Sequence, residues 1–300
     1  MANFSVTTGA KHPYKLTFIR ILNSEWVKLF SLRSTWWISS LAIVLNIVVC
    51  TLFGLLMKFS ESMYSNPDLT VTQNGQPVAI EPGSLGLLSS SVVGGCEFIG
   101  QLVFIILAIM IVTNEYSSGM IRSTFTVAPR RSRVLTAKMI VISVVCVIVF
   151  AISVTASWAI DYAILKNTIS FDLTLTSAAS MRILLGFILE MMLISLFCFG
   201  LGAIIRSTAG SIGAAVGIVF VLPMIQGVIG SFTGGGNLSG WRKWLVDVLA
   251  FLPTSAGDVI TEDPIPDSSI LNAWQGMAVL AAWTLVSIVI ALITTARRDA

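Results

Sequence analysis

Six stretches of this chain, residues 35–57, 96–113, 139–165, 183–205, 211–230 and 273–295, are runs of mainly apolar residues. A helix needs about 20 such residues to cross the hydrocarbon core of a bilayer. Spanning strands would instead show alternating segments of about 10 residues, and none is present. The chain is 55% hydrophobic and 11% charged, whereas soluble domains carry about 25% charged residues. A soluble chain of 300 residues this poor in charge could not cover its own surface. The sequence therefore reads as an all-α polytopic membrane protein with six transmembrane helices.

The charges orient those helices. With the N-terminus in the cytoplasm, Lys11, Lys15, Arg20, Lys28, Arg33, Arg122, Arg130, Arg131, Arg133, Lys138, Arg206, Arg297 and Arg298 are inside, 13 of the 18 basic residues. Only Glu25, Glu115 and Asp299 of the 15 acids join them. Lys and Arg near span ends stay cytoplasmic, so both termini of a multi-pass plasma-membrane protein are expected inside. The first apolar run exceeds 20 residues and lacks a small-residue cleavage site, so it reads as a retained span.

Other pieces lie on the membrane. Residues 14–33 are too polar to span, yet Phe18, Ile19, Leu22, Trp26, Leu29 and Phe30 share one helical face opposite Arg20, Ser24, Lys28 and Ser31. That is an interfacial amphipathic helix, either a lipid anchor or a connecting helix that also touches a partner. "WRKWLVDVLAFLP" (241–253) reads as a short re-entrant or surface helix before the last span, with a loop helix packed on the span ends as the plainer alternative. An Asn-Gly pair between "LTVTQ" and "QPVAI" gives a small hairpin in the first outer loop. The expected organisation is a tail and amphipathic helix (1–33), a transmembrane domain (34–297) and a short C-terminus (298–300). Within the domain fall an outer loop (58–95), a cytoplasmic loop (114–138) and an outer helical insertion (231–272).

Catalytic chemistry is thinly supplied. There is no Walker A sequence and no H-E-x-x-H, and the only histidine, His12, is in the N-terminal tail. No metal site is expected, and the scattered Cys50, Cys96, Cys146 and Cys198 give neither a disulfide framework nor a metal set. Glu190 is the intramembrane charge of interest, in a row with Arg182 and Gly186 at intervals of four. A charge at that depth faces protein or water, as a proton or substrate group or as a structural pair with Arg182. Asp161 and Lys166 are placed near an outer helix end, where snorkelling relieves them. Ala209, Gly213 and Gly217 form a small-residue row, for packing either within the subunit or between subunits. Pro223 and Gln226 break the same helix further out.

The loop between the second and third spans concentrates five basic residues in "NEYSSGMIRSTFTVAPRRSRVLTAKM" (114–139). Topology alone would need fewer. Ser117 or Ser118 can cap a short helix, and Met120, Ile121 and Phe125 can insert into a groove on a partner. Pro129 ends that helix, and Arg130, Arg131, Arg133 and Lys138 are expected at the membrane surface, where anionic lipid adds about 1 kcal/mol each. This stretch resembles the segment after the second helix of ABC-2-type ABC transporter permeases. Glu115, Gly119, Arg122, Arg131 or Arg133, and Lys138 match that pattern, and the rest of the chain resembles the family in topology.

The resemblance implies a type V exporter-like half-transporter of the bacterial inner membrane, of the multidrug or antimicrobial-peptide kind. Its partners would be a second permease, identical or diverged, and a separate ABC ATP-binding subunit carrying ATP and Mg. That subunit would dock on a coupling helix at Glu115, Gly119, Met120, Ile121, Arg122 and Phe125. The chain itself would hold no cofactor, bind no nucleic acid and catalyse no reaction. A secondary transporter or channel relying on Glu190, and a membrane immunity protein without transport, are the other readings.

Overall fold

The structure, a computed structural model, describes residues 17–64, 71–73, 76–78, 88–117, 131–165, 178–231, 240–261 and 270–297. Its first helix, α1 (Phe18–Ser31), ends at Leu32, whose backbone is extended at φ −80° and ψ 118°. The Thr35 N–H then donates to the Leu32 carbonyl at 3.1 Å and starts α2 (Arg33–Tyr64). This one-residue elbow turns a surface helix into a span. The buried face of α1 is Ile21, Glu25 and Leu29, while Ile19 is 75% exposed. The helix is therefore rotated from the orientation its apolar pattern gives, because its deepest contacts are to α4 rather than to lipid.

The strands β1 (Val71–Gln73) and β2 (Gln76–Val78) pair antiparallel, with Gln73 opposite Gln76. That register leaves the two residues of the expected Asn-Gly turn between them. Helix α3 (Leu88–Ser117) begins well before residue 96 and ends four residues into the expected cytoplasmic loop. The outer loop is correspondingly short, since α2 also continues to Tyr64. Next come α4 (Arg131–Leu165) and α5 (Ala178–Ile205).

Arg206 closes α5 in the left-handed region at φ 60°. Its N–H bonds the Gly202 carbonyl at 3.0 Å, satisfying a helix-end acceptor. Ser207 then caps α6 (Thr208–Val216), its hydroxyl accepting from the Gly210 N–H. A π turn (Gly217–Val221) joins α6 to α7 (Leu222–Ser231). Pro223 explains it: a proline ring collides with the carbonyl four residues back and supplies no N–H. Leu222 accordingly donates five residues back, to the Gly217 carbonyl. The fifth span thus has a built-in irregularity at the place its proline marks.

Two short helices follow, α8 (Trp241–Leu249) and α9 (Pro253–Asp258), with Pro253 in the first turn of the second. The last span is α10 (Ala273–Arg297). Five helices are long and apolar enough to cross a membrane, and α3 contributes a shorter apolar run, Gly100–Tyr116. Helix α3 packs on α2 and α5, α4 packs on α2 and α5, and α10 packs on α5. The fourth span is central, with 61% of its apolar window buried against 17% for the fifth, which lies at the edge. Phe104, Phe150 and Phe187, from α3, α4 and α5, form an aromatic centre with ring separations of 4.9 and 5.7 Å.

Cys146 and Cys198 are buried free thiols. Cys50 is disulfide-bonded, against the expectation from its lone position in an apolar run.

Candidate functional site

The ends of α1, α3 and α4 meet in a cluster of four charges. Lys138, one turn into the apolar part of α4, donates to Glu25 Oε2 at 2.6 Å and to Glu115 Oε1 at 2.7 Å. Lys28 donates to Glu25 Oε1 at 2.8 Å and approaches Glu115 Oε1 at 3.5 Å. The Lys138 and Glu25 side chains are only 7% and 5% exposed, whereas that of Lys28 is 40% exposed. Two lysines and two glutamates balance, which is how buried charge is tolerated.

Burial alone would raise the Glu25 carboxyl. The Lys138 ammonium, with help from Lys28, outweighs it and holds Glu25 below the ordinary carboxylate value. Burial would likewise lower Lys28, but Glu25 and Glu115 outweigh it and raise that ammonium. A cavity of about 380 Å³ opens beside the cluster, with Leu32, Thr35, Met110 and Asn114 in its wall.

A second set of contacts ties the same ends of the bundle. The Arg206 guanidinium lies 5.0 Å over the Tyr116 ring and donates to the Thr294 carbonyl at 3.4 Å. The Thr208 hydroxyl donates to that of Thr113 at 2.9 Å. The residues flanking segment 118–130 are thus joined to α1, to the turn after α5 and to the end of α10.

Of the residues expected to contact an ATPase, Glu115 is in this cluster. Gly119, Met120, Ile121, Arg122 and Phe125 lie outside the described residues, as does Arg130. Arg131 starts α4, and its side chain lies outside the described set; Arg133 is exposed. Lys138 does not face lipid headgroups as expected, because two carboxylates draw it inward. Glu25 was hidden from sequence reasoning: it is an ordinary polar position on an amphipathic helix until α4 brings a lysine to it.

Glu190 is fully buried. Its carboxylate occupies the space a side chain at Gly257 of α9 would need, beside Leu280 of α10. Neither Glu190 nor Arg182 is without a partner. Among the described residues, none packs where a side chain at Gly213 or Gly217 would stand, and Ala209 is exposed. Asp161 does not snorkel; it is 4% exposed and rests on α2 at Gly54. Among the described residues no three His, Cys, Asp or Glu side chains converge as metal ligands.

Helices long and apolar enough to cross a membrane, charged helix ends gathered on one face and a short helical insertion before the last span define a multi-pass membrane protein. Residues 19–300 match the ABC-2 family transporter proteins, and the chain belongs to that family. It is a membrane permease component of an ABC transporter, and membership implies association with an ABC ATP-binding subunit. No curated protein matches the chain.

Proposed function

We propose that this chain is the permease subunit of an ATP-driven exporter, with both termini cytoplasmic, moving a lipophilic or amphipathic compound such as a drug, antibiotic or peptide. A separate ABC ATP-binding subunit, holding ATP and Mg, docks on residues 115–125. The observation that carries this reading is the Lys138 bridge to Glu25 and Glu115. A docking loop transmits force only if its base is stiff, and this bridge fastens both ends of segment 118–130 to α1. The unused face at Ala209, Gly213 and Gly217 supports pairing with a second permease. Arg130, Arg131 and Arg133 add the headgroup contacts that hold the loop at the membrane.

Co-reconstitution with the ATP-binding subunit tests this. ATP-dependent efflux is expected, and Phe125→Asp should abolish it while the chain stays folded. Full transport by the isolated chain, driven by an ion gradient and abolished by Glu190→Gln, would replace this reading with secondary transport.

A further inference from the structure

Four buried polar side chains line a seam between α2 and α4, and a fifth, Gln101 of α3, follows Gly100, which faces it. On α4, Ser153, Ser157 and Asp161 stand at intervals of four and are 1%, 5% and 4% exposed. Asn46 of α2 and Gln101 of α3 are 1% and 3% exposed. The glycines fix the register. A Cβ at Gly54 would lie 2.6 Å from Asp161 Oδ1, and one at Gly100 would lie 3.3 Å from both Asn46 Nδ2 and the Phe150 ring. Helices α2 and α4 both start at the α1 end of the bundle, so Asn46, eight residues before Gly54, is level with Ser153. The seam runs from Asp161, near the face that carries α8, to mid-span, where Phe104, Phe150 and Phe187 close it.

Among the described residues, both Asp161 oxygens, the Ser153 and Ser157 hydroxyls, Asn46 Nδ2 and Gln101 Nε2 have no hydrogen-bond partner. Buried polar groups are nearly always bonded, and an intramembrane carboxylate marks a site. A metal ion suits this seam poorly. There is one carboxylate, and two of the orphaned atoms are amide N–H donors, whereas hard cations gather six or more oxygens. Hydroxyls and a carboxyl both accept and donate protons.

We propose that Asp161 is a proton-exchange site reached from the α8 face, with Ser157, Ser153 and Asn46 extending its hydrogen-bonding path inward as far as the aromatic centre. Uptake forms an O–H bond on the carboxylate with a proton taken from water at that face, and release returns it there. Because the carboxylate rests on Gly54, its charge also sets how closely α2 lies on α4.

Among the described residues few charged groups stand near it. Lys58 shares the face of Gly54 one turn further along α2, Tyr162 follows on α4 and stacks on Trp158 at 5.3 Å, and Arg182 is near the same end of α5. Helix α10 has no titratable residue before Arg297, α1 meets α4 at its opposite end, and the side chains of Glu61, Tyr64, Glu97 and Lys166 lie outside the described residues. None is bonded to Asp161. The proposal depends neither on the docking partner nor on which face is cytoplasmic.

The test uses the unmodified full chain in sealed proteoliposomes, treated with dicyclohexylcarbodiimide, which couples to protonated carboxyls in apolar surroundings. Peptide mass locates the adduct, and a Lys243→Cys copy labelled with an impermeant thiol reagent reports which face is outward. Modification of Asp161 is expected at acidic pH on the α8 face, falling at least five-fold when that face alone is made alkaline. Ser157→Val should slow it, and Asp161→Asn should remove the adduct from that peptide. An unmodified Asp161 at every pH, as a fixed ion pair with Lys58 or Arg182 would give, overturns the proposal. So does modification that follows the pH of the opposite face.

Discussion

Lys138 carries two carboxylates in a nearly closed space, so removing it leaves Glu25 and Glu115 with only the more exposed Lys28 to offset them. Losing one partner of a buried ion cluster costs about 3–5 kcal/mol. Lys138→Met should therefore lower stability by that order in SDS-unfolding titrations, and the Glu25→Lys/Lys138→Glu exchange should recover part of it. The cluster also has a pH window. Glu25 lies below its ordinary 4.5, so its contribution is present above that value and disappears as pH falls through the lower folded value. Lys28 lies above its ordinary 10.5, so its contribution is present below that value and disappears as pH rises through the higher folded value. A spin label at the exposed Asn23 should be immobile from pH 4.5 to 10.5 and loosen only as pH falls below the first value or rises above the second.

The helices themselves were legible in the sequence because length and apolarity decide crossing, and the hairpin because Asn-Gly dictates its turn. The facing of each helix was not. Helix α1 has a clear apolar stripe, but the face that packs is centred on Glu25, since the partner charge sits 113 residues away. Spans such as α2 and α4 are apolar all round, so periodicity cannot show that Asn46, Ser153 and Asp161 share one seam. The glycines carry that information only in hindsight. At Gly276 a Cβ would strike the Ala256 carbonyl oxygen, and at Gly186 it would lie 2.8 Å from Ile260. These positions seat α9 and the turn after it on α10 and α5. Gly276→Ala should displace α9 and destabilise by about 1–3 kcal/mol, read from SDS unfolding, as overpacking does. Pro223 told of a break, and the π turn shows the form it takes.

At the scale of the whole molecule, one face gathers the charged cluster and the Arg206 contacts, while the other carries α8, α9 and the hairpin. Exposed Trp241, Trp244 and Trp274 mark the second face with an aromatic belt suited to an interface. The edge position of the fifth span leaves Gly213 and Gly217 clear of the other described residues, as the proposed pairing with a second subunit needs. Gly213→Cys copies should cross-link to one another in membranes if that pairing holds, and monomeric chains only would count against it.

The central claim is that residues 115–125 receive an ATP-binding subunit. A photoreactive residue at Phe125, in membranes containing both proteins, addresses it most directly. A cross-link from position 125 to the ATP-binding subunit is expected, weakened when Lys138→Met loosens the base of the loop. Absence of that cross-link, while the same probe at an unrelated exposed site such as Lys243 captures the subunit, would contradict the account.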